Sequence, residues 1–250
     1  MQLQGKIAFV TGGGKRLGRA IAVALAEGGA DILLHVHTSS GEDTARAIEA
    51  LGRRAIILRA DISMTAAAVR LGRDAMATAG RVDILINNAA VFFPTPVTTL
   101  TTKSWKSVIQ TNLTSPFILA LLFGRAMRAQ GAGKIVQLGD WGGIRPTLGY
   151  LPYCVSKGGI QVMTQALAKA FAPDVQVTTV APGPVLPPEQ YDAIKIQHLV
   201  EQTPLQRLGS EQDVVRAVRF LVESGDFVTG ATYFVDGGWL AKVASGSVIS

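Results

Sequence analysis

Near its start the chain reads Lys6-Ile7-Ala8-Phe9-Val10-Thr11-Gly12-Gly13-Gly14-Lys15-Arg16-Leu17-Gly18. An apolar strand-like run passes through a glycine-rich turn into an alanine-rich helical pattern. Gly12 permits the tight turn off the strand, and Gly18 lets the helix pack close to it. The same order recurs along the chain. Runs at 6–10, 31–36, 55–58, 82–86, 134–138, 176–181 and 232–235 are nearly continuous in apolar character, as strands covered on both faces are. Helical patterns at 17–27, 42–51, 65–79, 103–129, 152–171 and 211–223 separate them. This alternation predicts an α/β fold, a doubly wound seven-stranded parallel sheet with helices on both faces. A single domain spans 1–240, followed by a C-terminal tail at 241–250.

Composition narrows the function classes. The chain has 250 residues, 48% apolar and 17% charged, which excludes disorder. Its net charge of +6 is scattered, with clusters no tighter than the pairs Lys15-Arg16 and Arg53-Arg54. A nucleic-acid footprint would show a basic stripe, so no nucleic acid is expected. The longest apolar runs, 20–26 and 117–123, fall short of the ~20 residues a spanning helix needs, so no membrane is expected either. The N-terminus lacks a basic segment followed by an apolar one, which predicts a cytoplasmic protein. One cysteine makes neither an internal disulfide nor a cysteine-based metal site.

Ligands of Rossmann-type sheets gather at the carboxyl ends of the strands. The freed N–H groups of the glycine turn and the positive helix end suit a pyrophosphate. The next strand then discriminates between dinucleotides. Sites for NAD place Asp or Glu about 20 residues past the glycines, on the ribose 2′-hydroxyl. Here that stretch is His35-Val36-His37-Thr38-Ser39-Ser40, without an acid. A 2′-phosphate would meet hydroxyls and the cations Lys15 or Arg16, so NADP(H) is the expected cofactor. His35 and His37, two apart on a strand, share a face but have no third ligand nearby, so no metal is assigned.

Tyr153-Cys154-Val155-Ser156-Lys157 opens the helix after the fifth strand. The i, i+4 spacing sets Tyr153 and Lys157 on one face. An ammonium beside a phenol lowers the phenol's pKa, so Tyr153 is expected to exchange a proton nearer neutral pH. Reduction of a C=O or C=N bond needs a hydride and such a proton. Cys154 is expected to face elsewhere as a small packing residue.

Together with Asn87-Asn88-Ala89-Ala90, Asn112, Pro182-Gly183 and Asp236-Gly237-Gly238, these motifs resemble the short-chain dehydrogenase/reductase family over nearly the whole chain. The resemblance implies a proton relay of Asn112, Lys157 and Tyr153, with Lys157 also holding the nicotinamide ribose. It implies a cofactor site in which Gly12, Lys15, Arg16 and Leu17 meet the phosphates, and His37, Thr38 and Ser39 the ribose end. Asp61 would sit at the adenine, with Asn88, Ala89, Pro182 and Gly183 along the nicotinamide side.

Two departures from that family pattern are informative. The usual TGxxxGxG turn has Arg16 for its second glycine. Thirteen residues before Tyr153, where the family has a catalytic serine, stands Asp140. A serine hydroxyl orients a carbonyl oxygen, whereas a carboxylate repels a developing oxyanion unless it is protonated or exchanges protons through water. With Phe92 in Asn88-Ala89-Ala90-Val91-Phe92-Phe93-Pro94-Thr95-Pro96, both departures resemble the pteridine reductase branch, the dihydropterin and dihydromonapterin reductases. That resemblance implies a flat pterin sandwiched between Phe92 and the nicotinamide. Arg16 would reach cofactor phosphate and pterin edge, while Asp140 and Tyr153 supply protons to ring nitrogens. Core packing is the other reading of Phe92 and Phe93. The branch also carries a basic side chain near Thr38, which this chain lacks.

The proline-punctuated segment 183–209, with a helical patch at 191–201, reads as a cover over the substrate. Residues 116–128 are apolar on more faces than one buried side requires, and the family pairs this helix between subunits, which implies a homotetramer. Three functions stand at this point: pteridine reduction; reduction of a ketone such as a 3-oxoacyl thioester; and a non-catalytic NADP-binding regulator.

Overall fold

Apolar runs buried on both faces have only neighbouring strands to satisfy their backbone groups, and a parallel sheet does this. The computed structural model describes residues 1–187 and 191–241. Its strands are β1 (Ile7–Val10), β2 (Asp31–Val36), β3 (Ala55–Arg59), β4 (Ile84–Asn87), β5 (Gly133–Leu138), β6 (Val175–Pro182) and β7 (Thr232–Val235). They form one seven-stranded sheet in the order β3-β2-β1-β4-β5-β6-β7, every pair parallel. The crossovers carry α1 (Arg16–Glu27), α2 (Glu42–Glu49), α3 (Thr65–Ala79), α4 (Thr102–Ile109), α5 (Ser115–Ala129), α6 (Leu151–Phe171), α7 (Ala193–Gln202) and α8 (Glu211–Glu223). The chain is a Rossmann-like α/β domain.

Alternate strand residues face opposite helical layers. On one side α1 and α8 bring Ile21, Leu25, Val214 and Val218 onto Ile32, Leu34, Ile84 and Ile86. On the other, α3, α5 and α6 bring Leu71, Leu119, Phe123 and Leu167 onto Phe9, Leu33, Leu85 and Ile135. Phe9 and Phe123 meet edge to face, ring centroids 5.3 Å apart, with neither exposed.

One element departs from expectation. The spacing predicts a single α-helix over 103–129, whereas the structure has α4, a π turn at Gln110–Thr114, and α5. Proline at position 116 has no N–H to give the Asn112 carbonyl four residues back. The Ser115 N–H instead reaches Gln110 across a wider turn. Within this turn Asn112 is buried and faces Val91, after β4. The whole run, Thr102–Ala129, is 28 residues long and, among the described residues, is apolar enough to cross a membrane by length and composition. Half of its apolar window is buried inside the protein, where Leu119, Ala120, Phe123 and Met127 form core, so it is an internal helix. The tail lies outside the described residues from position 242 onward, as does Pro188 of the covering segment.

Phe123→Ala removes the ring on which the α5 side of the core closes. It is expected to lower the unfolding free energy by about 3–5 kcal/mol in urea denaturation. A loss under about 1 kcal/mol would show that this layer collapses to fill the space.

Candidate active site

Strand order reverses between β1 and β4, and their carboxyl ends part there to leave a crevice. Thr11 ties the two strands. Its Oγ1 accepts from the Asn88 N–H at 2.9 Å and the Ala89 N–H at 3.0 Å, and the Asn88 Nδ2 donates back to the Thr11 and Gly12 carbonyls. The glycines of the turn fit closely. A Cβ on Gly18 would lie 2.1 Å from the Gly12 carbonyl oxygen, and one on Gly14 2.3 Å from Ser39 Oγ. This bare turn, running into the positive N-terminal end of α1, could hold a pyrophosphate.

His35 sets the turn from behind. Its Nδ1 accepts the Gly12 N–H at 3.2 Å, and its Nε2 lies 3.2 Å from the Ala60 carbonyl. Both contacts are met by one neutral tautomer, and burial pulls the ring's pKa down to about 4. His37 stands past the end of β2 and is exposed, so the two histidines do not share a face as their spacing suggests. His37 Nε2 lies 3.9 Å from Asp61, whose carboxyl is held low by hydrogen bonds from Ser63. Arg16 adopts φ 49°, the left-handed conformation for which glycine is better suited, and its guanidinium donates to the Leu186 carbonyl at 2.7 Å. Lys15 precedes α1 in extended backbone, and Leu17 packs against the core beside it.

The reacting groups meet at the ends of β5 and α6. Asp140 leaves β5 and caps the short turn Trp141–Gly143, accepting the Gly142 N–H at 2.7 Å through Oδ1. Its Oδ2 accepts the Tyr153 hydroxyl at 3.0 Å. Burial raises the Asp140 pKa, against the pull of Gly142, Lys157 and Tyr153. Burial and the neighbouring carboxylate push Tyr153 well above its ordinary value. The expected lowering of Tyr153 by Lys157 is therefore corrected. The Lys157 Nζ is held by the Leu138 carbonyl at 2.7 Å and sits 5.6 Å from the centre of the Tyr153 ring, while desolvation draws its own pKa down to about 8. Tyr153 thus keeps its proton at neutral pH, as a donor should. Asn112 spends its amide on Val91, accepting the N–H at 2.8 Å and donating to the carbonyl at 2.9 Å. Its side chain thereby positions the segment after β4.

A cavity of about 600 Å³ opens beside these groups. Phe92 lines it, 48% exposed, so the core-packing reading of this residue is excluded. Its ring stacks on Tyr150 at 4.4 Å with a 4° interplanar angle and meets Tyr153 edge-on at 4.7 Å. Cys154 also lines the cavity, contrary to the expectation that it faces elsewhere. Gly183 bonds the Val235 carbonyl where Pro182 ends β6, and residues 183–187, Tyr191 and Leu199 close the far wall. Tyr150, Tyr191 and the turn-setting role of His35 were not legible in sequence, because their partners arrive from distant elements. Only the position of Tyr150, three residues before Tyr153, hints at its place.

A family model described as Enoyl-(Acyl carrier protein) reductase matches residues 14–240. The chain belongs to the short-chain dehydrogenase/reductase family. Within that family it is 34% identical to a 2-dehydro-3-deoxy-D-gluconate 5-dehydrogenase of Dickeya dadantii (strain 3937), covering 96% of this chain and 97% of that one. It is 32% identical to the 3-oxoacyl-(acyl-carrier-protein) reductase FabG of Escherichia coli (strain K12), over 95% and 98%. The solved structure of a Sinorhizobium meliloti 1021 protein, provisionally assigned as a short-chain alcohol dehydrogenase, superposes with a TM-score of 0.91 at 33% identity, covering 96% and 98%. The pteridine branch draws no support from these names. The protein is a short-chain oxidoreductase of a family that uses NAD(P)(H).

An unfolded histidine protonates near pH 6.5, but folded His35 resists protonation down to about 4. Its contribution to stability is complete above about pH 6.5 and is lost as pH falls toward about 4. Between pH 7 and 4.5 the wild type should lose about 2 kcal/mol more in urea unfolding than His35→Gln. Equal losses would show that the ring is not held neutral.

Proposed function

We propose that this protein is an NADPH-dependent reductase acting on a C=N bond of a pteridine, of dihydropterin or dihydrofolate type. The observation that carries the reading is the 3.0 Å hydrogen bond from Tyr153 to Asp140, at the position of the family's catalytic serine. When bound, the cofactor supplies a hydride and a stacking face. The glycine turn and the start of α1 would hold its phosphates, and Lys157 its nicotinamide ribose.

The chain's own groups handle the proton. Tyr153 is a neutral phenol donating to Asp140, and the raised carboxyl pKa of Asp140 brings proton uptake closer to neutral pH. A ring nitrogen can take a proton from such a pair and return a hydrogen bond to the carboxylate. Phe92, stacked on Tyr150, lines the same cavity as Arg16, so a flat ring there could meet an aromatic side chain and a guanidinium. Leu186, Pro187 and Tyr191, lining this cavity, support a covering role for the segment they belong to. Exposed Phe117, Val155 and Val162 on α5 and α6 support assembly as a homotetramer, and the cytoplasm is the proposed compartment.

A second reading, reduction of a carbonyl such as a 3-oxoacyl thioester, is favoured by the names of the similar proteins over the pteridine one. Against it stands the carboxylate of Asp140, placed where an oxyanion would develop. Asp140→Ser separates the two. Initial rates of NADPH oxidation should fall about 100-fold with a 7,8-dihydropterin and hold or rise with a 3-oxoacyl thioester. Unchanged pterin turnover would remove the role given to Asp140. Thioester turnover alone, in wild type and variant, would establish the carbonyl reading.

A further inference from the structure

The cofactor's ribose end carries a second device. We propose that Arg59 is the specificity-determining residue for a 2′-phosphorylated nucleotide, acting by holding the 37–40 loop as an anion-binding turn. This rests on the NADP(H) reading above.

Arg59 ends β3 and pairs in register with Val36 at the end of β2. Its guanidinium therefore lies beside the loop that follows β2. Nη1 donates to the His37 carbonyl at 2.7 Å and the Ser39 carbonyl at 2.9 Å, and Nη2 reaches the Ser40 carbonyl at 3.4 Å. A trans peptide sets N–H opposite C=O. Three carbonyls turned toward Arg59 thus turn the N–H groups of Thr38, Ser40 and Gly41 away from it. Among the described residues, none of these three N–H groups is bonded to a protein acceptor. These N–H groups, beside Gly41 at φ 79° where the chain turns into α2, are donors left available to an anion.

The loop is also seated on the phosphate cradle. Ser39 Oγ touches Gly14 so closely that a Cβ there would lie 2.3 Å away. An anion held by the loop is therefore adjacent to the pyrophosphate turn, where a 2′-phosphate must fall. Of the nearby acids, Glu42 and Asp43 pair with Arg46, while Asp61 accepts from Ser63 and lies 3.9 Å from His37. A guanidinium stays charged at every relevant pH and grips several carbonyls through its planar fork. It supplies both positive potential and loop geometry at a position where residue 38 is threonine.

The test is calorimetric titration of the purified protein with 2′,5′-ADP and with 5′-ADP, for wild type, Arg59→Leu and Arg59→Lys. Wild type should prefer 2′,5′-ADP. Arg59→Leu should weaken 2′,5′-ADP roughly tenfold and leave 5′-ADP within about twofold, which also certifies the fold. Arg59→Lys keeps the charge without the fork and should recover only part of the loss. Full recovery would overturn the part given to the loop. A preference retained in Arg59→Leu would overturn this proposal alone. Equal binding of the two probes by wild type would overturn the NADP(H) reading, and this proposal with it.

Discussion

The tie between Thr11 and Asn88 is the constraint on which the rest of the site depends. A doubly wound sheet must part its loops where strand order reverses, and an open crevice exposes backbone groups with no strand to bond them. One threonine hydroxyl and one amide satisfy both sides of that gap at 2.9–3.2 Å. With the gap fixed, the glycine turn is held from the β4 side. His35 holds it from the β2 side, and Asn112 carries the order onward by clamping Val91. Phe92 follows directly from that clamp.

Asp140 serves two demands at once. It caps the turn after β5 through one oxygen and receives the Tyr153 hydroxyl through the other. The cap needs Gly142, whose Cβ would lie 2.9 Å from the carboxylate, and Gly143 lets that turn lie against α6. A capping role alone would leave the second oxygen free to face solvent. Its position on a buried phenol ties the Asp140 carboxylate to the proton of Tyr153. Burial raises both groups, so Tyr153 keeps its proton and Asp140 takes one up more readily than an exposed carboxylate.

Much of this was legible in sequence for physical reasons. Strands such as 31–36 and 82–86 stand out because burial on both faces demands continuous apolar runs. Tyr153 and Lys157 stand out because residues four apart on one helix share a face, and Asp140 through the family pattern that has a serine at its position. The π turn was harder to read: helical periodicity continues through Gln110–Thr114, and only Pro116 marks where the hydrogen-bond ladder shifts. The pKa of Tyr153 is misjudged from spacing because spacing places Lys157 on its face but reveals neither the burial of the phenol nor the Asp140 carboxylate it meets. Arg59 and His35 act across parallel strand pairs, a relation that register sets and sequence distance hides.

The central claim is that Asp140 and Tyr153 form a buried, proton-holding pair at the carboxyl end of β5. Carbon-13 NMR titration of the Asp140 carboxyl in the folded protein tests it most directly. A midpoint clearly above the ordinary carboxylate value of about 3.9, and moving further when Tyr153 is replaced by Phe, is the predicted result. A midpoint at or below that value, unmoved in Tyr153→Phe, would reduce Asp140 to a helix cap and contradict the account.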